Sequence, residues 1–175
     1  MKRIICISGD AASGKTTAAK RVAAQLPGWE IVSTGQRFRQ YCQERGIDPQ
    51  QISHLGDAVH LEADERMRSE LGERQNLIAE ARLVGYLARD MEDALRVFCD
   101  CPLEVRAERF LGREPGFSLA EALTRVSERD QADTANLRHL YGIDYHDPQY
   151  YHLVVNTAEL DPDAVAQAIL DAARA

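Results

Sequence analysis

Short apolar segments alternate with longer amphipathic segments along the chain. A strand that is buried on both faces has an almost continuous apolar sequence, whereas a surface helix repeats its apolar positions every three to four residues. On this basis we predict strands at 3–8, 30–33, 76–81, 95–99 and 152–155. The same pattern predicts helices at 15–26, across most of 36–72, and at 83–93, 103–113, 118–139 and 162–174. This alternation predicts an α/β fold with a parallel sheet covered by helices on both faces.

The segments that follow the strands are the first place to search for chemistry. Ligands of open parallel sheets bind at the carboxyl ends of the strands. In this chain those positions are 9–16, 34–39, 80–82, 100 and 156–157.

The segment after the first strand has the pattern GxxxxGKS/T, from Gly9 to Thr16. In this motif the glycines let backbone N–H groups close on phosphate oxygens, Lys15 reaches the β and γ phosphates, and the Thr16 hydroxyl binds Mg²⁺. The helix that begins at Lys15 adds positive potential. The alternative is a glycine-rich turn with an incidental lysine. From the motif we expect phosphate groups and Mg²⁺ to bind at Gly9, Asp10, Ala11, Ala12, Ser13, Gly14, Lys15, Thr16 and Thr17.

Length, charge and cysteine spacing limit the remaining possibilities. A chain of 175 residues is expected to form one domain. The net charge of −7 argues against a nucleic-acid polymer as partner, and the 21 basic residues include only three lysines. The four cysteines lack the spacing of a zinc site, so we expect reduced, structural thiols. Without an apolar leader or a stretch of about 18 apolar residues, we expect no membrane association and a cytoplasmic location.

Two further candidates for phosphate binding follow the second and third predicted strands. Thr34 can cap a helix, and Arg39 projects from that helix about one turn later. Arg82 falls at the carboxyl edge of the sheet. In each case an ordinary helix cap or a solvated arginine is the competing interpretation.

Two helical segments carry polar side chains at spacings of three and four residues. The first has Arg106, Arg109 and Arg113; the second has Arg129, Asp133 and Asn136. A Gly/Pro-punctuated segment at 112–116 separates them and is a candidate hinge. Such faces could close over a triphosphate and neutralise its charge. The alternative is an exposed, salt-bridged helix, because Glu104, Glu108 and Glu128 are interleaved.

The ordered set of these motifs resembles the nucleoside monophosphate kinases, and within them the short cytidylate kinases of the archaeal type. The resemblance extends nearly from end to end. It is carried by segments 7–17, 33–35 with Phe38 and Arg39, 82–85, 104–106 with Arg109 and 113–114, Arg129 with Asp133, 141–144 and 154–157. It implies a P-loop NTPase-type three-layer α/β/α fold with a five-stranded parallel sheet, a helical acceptor-binding segment at 34–72 and a helical lid at 110–130.

The resemblance also implies that the phosphates at the loop are those of ATP, and it implies roles for individual residues. Lys15 and the lid arginines Arg109, Arg113 and Arg129 would be catalytic, and Asn156 would contact the nucleotide donor. The nucleoside monophosphate would be held by Thr34, Gly35, Arg39, Arg66, Arg82 and Asp133. This chain departs from the family pattern at Ala81, often glycine; at Asn136, where arginine is expected; and at Leu83, which leaves recognition of the base to Asp64, Arg66 or Arg68.

The expected activity is therefore phosphoryl transfer from MgATP to CMP or dCMP by a monomer. Two alternatives remain open at this point. One is a P-loop kinase of another small molecule, and the other is a nucleotide-binding regulator without transfer activity.

Overall fold

The computed structural model describes residues 1–47 and 55–175. The strands are β1 (Ile4–Gly9), β2 (Glu30–Ser33), β3 (Leu77–Glu80), β4 (Ala94–Asp100) and β5 (Leu153–Asn156). The helices are α1 (Lys15–Ala24), α2 (Thr34–Arg45), α3 (Asp57–Glu73), α4 (Val84–Leu87), α5 (Leu103–Leu111), α6 (Leu119–Tyr141) and α7 (Pro162–Arg174). A 3-10 turn, Pro148–Tyr150, precedes β5.

The five strands form one parallel sheet in the order β2-β3-β1-β4-β5. The central strand β1 is buried along its whole length, as the apolar sequence of a strand covered on both faces predicts. Its Ile5 pairs with Ile78 on one side and with Leu95 on the other. The prediction of a five-stranded parallel sheet is confirmed.

Alternate side chains of the strands enter two separate cores. On one face Ile5, Ile7 and Val97 pack with α1 and α7. On the other face Ile4 and Cys6 pack with α3, α4 and the aromatic residues near the end of the chain. The result is the predicted three-layer α/β/α architecture, in which the carboxyl ends of all five strands meet at one edge.

Helices α5 and α6 pack on each other through a small core of their own, made of Ala107, Phe110, Ala122 and Val126. Helix α6 begins with a capping box, in which the Ser118 hydroxyl accepts from the Glu121 N–H and the Glu121 carboxylate accepts from the Ser118 N–H. Helices α5 and α6 therefore form a pair with its own hydrophobic contacts, and the polar face of α6 lies towards the carboxyl edge of the sheet.

Two predicted helices differ from the structure. The helical segment 36–72 is divided into α2 and α3, because Gly46 has a φ of +64° and ends α2; the part at 48–54 lies outside the described residues. The predicted helix 83–93 is reduced to the single turn α4. The carbonyl oxygen of Arg89 accepts a hydrogen bond from Arg96 Nη1 at 3.2 Å, and the chain turns into β4.

All four cysteines are buried with free thiols: Cys6, Cys42, Cys99 and Cys101. Burial raises the pKa of the Cys6 and Cys99 thiols to about 12. Within the described residues, the structure contains no helix with the length and hydrophobicity required to cross a bilayer.

Candidate active site

The phosphate-binding loop connects β1 to α1 at the carboxyl edge of the sheet. Its conformation depends on positive φ angles, +143° at Gly9, +92° at Gly14 and +63° at Ala12. A Cβ atom at Gly9 would clash with the Cys99 carbonyl oxygen and with Ser13 Oγ, so this position requires glycine. Left-handed turns of this kind bring successive backbone N–H groups together into a concave anion site.

Lys15 lies at the start of α1 and folds back over the loop, where its Nζ donates to the Asp10 carbonyl oxygen at 2.5 Å. Burial lowers the pKa of the Lys15 ammonium to about 8, although the nearby Glu80 carboxylate raises it. A desolvated ammonium at a helix N-terminus is suited to bind a phosphate, because the phosphate returns the charge stabilisation that burial removed.

Thr16 and Glu80 meet between the loop and β3. Thr16 Oγ1 donates to Glu80 Oε1 at 2.9 Å, and Glu80 is only 5% exposed. The other carboxylate oxygen, Glu80 Oε2, is buried without a hydrogen-bond partner among the described residues, and so is Ser13 Oγ of the loop. A buried carboxylate beside a hydroxyl is the hard oxygen donor set that Mg²⁺ prefers, so these residues fit the cation. The GxxxxGKS/T motif includes Thr16, whereas Glu80 lies outside it and has no recognisable role in the sequence.

A cavity of about 460 Å³ extends from this loop across the edge of the sheet. The loop and α1 form one wall, α2, α3 and α6 form the opposite wall, and the segment after β5 closes one end. The sequence-predicted site residues that line the cavity are Ala11, Ala12, Ser13, Gly14, Lys15, Thr16, Thr17, Thr34, Gly35, Arg39, Asp64, Arg82, Arg109, Arg113, Arg129 and Asp133.

Three arginines, Arg39, Arg82 and Arg129, line the same cavity. Arg82 and Asp133, each only 16% exposed, form an ion pair, and Arg129 Nε lies 3.8 Å from the same carboxylate. Burial lowers the pKa of Arg129 to about 10, and the positive charges of Arg82 and Arg39 add to this effect. Because the charges of Arg82 and Arg39 disfavour the protonated form of Arg129, this part of the cavity has an excess of positive charge. A dianionic ligand would relieve that excess.

Arg109, on α5, is linked to the phosphate-binding loop through Thr157. Its Nη1 and Nη2 donate to the hydroxyl and carbonyl oxygens of Thr157 at 3.0 and 2.6 Å, and the Thr157 hydroxyl donates to the Ser13 carbonyl oxygen at 2.8 Å. Arg113 lies two residues beyond the end of α5, so the predicted helix 103–113 is too long. Arg113 nevertheless lines the cavity.

Four predicted site residues lie away from the cavity lining. Gly9 packs against Cys99 of β4, and the Asp10 side chain is directed to Tyr145 and His146. The Asn156 amide oxygen accepts from the Ala158 N–H at 2.9 Å, and Thr157 takes the place next to the cavity.

The fourth is Arg66, whose side chain is 71% exposed and 3.5 Å from a carboxylate oxygen of Glu70. Arg68, the other arginine considered for base recognition, pairs with Glu65 near the surface.

Arg106 also differs from its expected position on the face that lines the cavity. It is buried, donating from Nε to the Cys101 carbonyl oxygen at 2.9 Å and from Nη1 to Asp130 at 2.5 Å. A weaker bond of 3.3 Å reaches the carbonyl oxygen of Ala11 in the loop. Arg106 therefore ties α6 to the phosphate-binding loop. The interleaved glutamates Glu104 and Glu108 gave no indication in the sequence that Arg106 would be buried.

The Asp10 carboxylate is neutralised by groups that the sequence analysis missed. His146 Nε2 lies 3.1 Å from Asp10 Oδ1, the Tyr145 hydroxyl donates to the same oxygen, and Arg106 Nη2 lies 3.8 Å from Oδ2. Burial alone would raise the pKa of Asp10, but the hydrogen bonds from His146 and Tyr145 outweigh it and hold that pKa well below its usual range. The same contact with Asp10 raises the pKa of His146.

A phosphate-binding loop after the first strand of a sheet in this order, facing buried arginines across one cavity, defines the class of P-loop kinases. Solved structures agree with this fold. An uncharacterised protein of Eubacterium ventriosum has a TM-score of 0.75 at 15% identity, with 99% of both chains covered. The shikimate kinase of Acinetobacter baumannii in complex with shikimate has a TM-score of 0.63 at 17% identity, covering 98% of this chain and 92% of that one.

Sequence comparison identifies the family within this class. A family model described as the cytidylate kinase-like family matches residues 57–159. A cytidylate kinase of Natronomonas pharaonis is 36% identical over 175 residues, covering 98% of this chain and 90% of that protein. A cytidylate kinase of Pyrococcus horikoshii is 35% identical over 167 residues, covering 94% of this chain and 84% of that protein. The chain belongs to the cytidylate kinase-like family and is a nucleoside monophosphate kinase.

Proposed function

We propose that the protein transfers the γ-phosphoryl group of MgATP to CMP or dCMP, giving ADP and the diphosphate. The observation that carries this proposal is the single cavity, in which the phosphate-binding loop faces Arg39, Arg82 and Arg129. A donor site and an anionic acceptor site on opposite walls of one cavity fit direct transfer between two bound phosphates.

The loop end of the cavity is proposed to bind ATP. The backbone N–H groups of residues 9–14 would hold the phosphates, and Lys15 would approach the β and γ phosphates. The side chains of Leu160, Pro162 and Val165 line the cavity next to Thr157. These apolar groups fit the faces of an adenine ring.

Thr16 and Glu80 are proposed to hold Mg²⁺, directly or through bound water. The buried oxygen atoms without partners at Glu80 and Ser13 support this assignment. When bound, Mg²⁺ supplies charge neutralisation on the transferring phosphates.

The opposite wall is proposed to bind the acceptor. Thr34 and Gly35 lie at the start of α2, and Arg39 follows one turn later. Arg39 and Arg82 would bind the acceptor phosphate, and Asp133 would turn to the sugar once the phosphate has replaced it beside Arg82. The existing ion pairs of Asp133 with Arg82 and Arg129 hold the arginines in place before the ligand arrives.

Transfer between these sites needs no general base. An oxygen of the acceptor phosphate, already a dianion near neutral pH, attacks the γ phosphorus; the bond from the γ phosphorus to the bridging oxygen breaks, and ADP leaves with the electron pair. Lys15, Arg109, Arg113 and Arg129 are proposed to neutralise the charge on the transferring group.

We further propose that the whole chain is one domain acting as a cytoplasmic monomer, with an acceptor-binding segment at 34–72 and a lid at 110–130. Closure of the lid would exclude water and so suppress hydrolysis of ATP. Within the proposed lid, Phe110 packs with Ala122 and Val126 in a small core of its own, which supports movement of this segment as a unit.

The test is ADP production from MgATP with CMP, dCMP, UMP, AMP or GMP, each compared with a reaction that lacks an acceptor. Strong turnover that depends on CMP or dCMP is expected. Absence of turnover with every nucleotide, despite tight ATP binding, would overturn the proposal. Shikimate and gluconate belong in the panel as non-nucleotide acceptors, since turnover with either of them alone would identify a kinase of another small molecule.

A further inference from the structure

Helices α2, α3 and α6 contribute aromatic and apolar side chains to the cavity. Phe38, His60, Leu83 and Leu137 line it, together with the carboxylate of Asp64. The Phe38 and His60 rings lie 5.6 Å apart with an interplanar angle of 37°. A lining of aromatic and apolar groups with one charged acceptor is the composition of a pocket for a flat heterocycle, because the rings contact its faces and the carboxylate contacts its edge.

The Asp64 carboxylate is held in one orientation by α6. The Tyr141 hydroxyl donates to Asp64 Oδ2 at 2.8 Å, and Oδ1 accepts no hydrogen bond from the residues that the structure describes. Burial raises the pKa of Asp64 to about 6, although the Tyr141 hydrogen bond and the Arg68 charge oppose the shift. At neutral pH the group is therefore an ionised carboxylate that can accept one more hydrogen bond.

The spacing along α6 relates this carboxylate to the proposed phosphate site. Asp133, which pairs with Arg82, is eight residues before Tyr141, a rise of about 12 Å along a helix. Asn136 and Leu137 line the cavity between these two levels. A nucleotide with its phosphate at Arg82 and its sugar beside Asp133 would therefore extend its base towards Asp64.

An ionised carboxylate distinguishes the two pyrimidines by the atom at position 4. Cytosine has an amino group there, which donates a hydrogen bond, whereas uracil has an oxygen that a carboxylate repels. We propose that Asp64, oriented by Tyr141, is the specificity-determining residue that accepts a hydrogen bond from the cytosine amino group and excludes uracil. This inference rests on the proposed function, because it assumes a pyrimidine monophosphate in the cavity.

The experiment compares kcat/KM for CMP and UMP in the wild type and in Asp64→Asn. The amide can donate to the uracil oxygen, so the variant should lose about 10- to 100-fold in kcat/KM for CMP while UMP is unchanged or improved. Glu65→Gln is the matched control, because its carboxylate is on the same helix, adjacent in sequence and 79% exposed. The ratio of the two substrates should stay at the wild-type value in that control.

Tyr141→Phe provides a second variant that keeps the carboxylate but frees its orientation. It should lower the CMP/UMP ratio by a smaller factor, about threefold to tenfold, the size expected for one hydrogen bond. If Asp64→Asn does not fold, an unchanged ratio in Tyr141→Phe together with a wild-type ratio that does not vary with pH overturns the assignment of Asp64. The wild-type CMP/UMP ratio should also fall as the pH drops below 6, since a protonated Asp64 no longer excludes uracil.

The possible failures are distinguishable. If the wild type phosphorylates no nucleotide, the proposed function fails. If the wild type prefers CMP and Asp64→Asn keeps that preference, or loses CMP and UMP activity equally, the assignment of Asp64 is overturned while the kinase activity stands. An unchanged ratio in Tyr141→Phe overturns the orienting role of Tyr141.

Discussion

The Nε2 atom of His146 lies 3.1 Å from Oδ1 of Asp10, so a histidine 136 residues away in the sequence neutralises the acidic side chain of the phosphate-binding loop. Without that partner, the Asp10 charge would oppose the phosphates that the loop is proposed to bind. The contact therefore joins the stability of the fold to the electrostatics of the site.

The ion pair predicts a pH-dependent effect of His146→Gln on stability. The raised pKa of His146 means that its contribution is complete below its unfolded value, about 6.5, and is lost as the pH rises through the folded value. The lowered pKa of Asp10 means that its contribution is present above about 3.9 and is lost as the pH falls through the folded value. The variant should be destabilised most near pH 5.5.

Urea unfolding at pH 5.5 and pH 9 measures this effect. We expect a loss of about 1 kcal/mol or less at the lower pH, because His146 is more than a third exposed and solvent screens the pair. The loss should shrink at pH 9. His139→Gln is the control, since His139 and its partner Asp57 are both exposed. An equal loss for His146→Gln at both pH values would contradict the ion-pair account.

Replacing Lys15 with alanine should lower kcat by at least about 10²- to 10³-fold, because the substitution removes a charge aimed at the transferring phosphate. Stability should be preserved, since Lys15 is desolvated in the unliganded protein. Coupled-assay kinetics and thermal unfolding measure the two effects separately. Lys20→Ala, an exposed position of the same helix, should retain wild-type rates. Retained turnover in Lys15→Ala would remove the basis for the proposed donor site.

The lowered pKa of Lys15 predicts a decline of kcat/KM for ATP at alkaline pH. The ammonium of the free enzyme loses its proton near pH 8, and the neutral amine no longer attracts phosphate. A profile from pH 6.5 to 9.5 should fall above this value, with kcat less affected because bound phosphate stabilises the ammonium. A flat profile for kcat/KM would show that Lys15 keeps its charge throughout the range.

Glu80→Gln tests the proposed cation site. The amide keeps the shape of the side chain and can still accept from Thr16, but it removes the negative charge. The Mg²⁺ concentration needed for half-maximal activity should rise by about tenfold or more. Titration of activity with MgCl₂ at fixed ATP measures the change, with Glu65→Gln as a surface control. An unchanged requirement for Mg²⁺ would exclude Glu80 from the site.

Ala12→Gly should stabilise the protein or leave it unchanged, although alanine-to-glycine substitutions usually destabilise. Ala12 has a φ of +63°, a conformation that costs a non-glycine residue about 1–2 kcal/mol. Ala135→Gly, at an exposed position inside α6, should cost about 1 kcal/mol. Thermal unfolding of both variants provides the comparison. A similar loss in the two would show that the loop carries no strain at Ala12.

The sheet could be predicted from the sequence because both of its determinants are local. Each buried strand is an apolar run, and the phosphate-binding motif is one contiguous segment that marks the end of β1. The single turn α4 was predicted too long. Beyond Leu87 the N–H groups of Arg89 and Met91 bond carbonyl oxygens only three residues earlier, and the Arg96 side chain on β4 donates to the Arg89 carbonyl oxygen. That contact is tertiary, and the local pattern contains no sign of it.

The candidate site was predicted less completely because it is assembled across long separations. Glu80 meets Thr16 across 64 residues, and Arg106 pairs with Asp130 across 24. Within α3, the choice among Asp64, Arg66 and Arg68 depended on the rotation of the helix about its axis. Hydrophobic spacing left that rotation undetermined, whereas packing against Tyr141 turns Asp64 inward.

The four buried thiols give the protein a built-in set of chemical reporters. Cys6 and Cys99 lie in the central strands, Cys42 lies in α2 and Cys101 follows β4. An alkylating reagent reaches such a thiol only when its surroundings open, so labelling rates measure the free energy of opening at each position. Alkylation at Cys42 ahead of Cys6 would report movement of α2 alone, and its slowing by a bound nucleotide would reveal that movement without any engineered label.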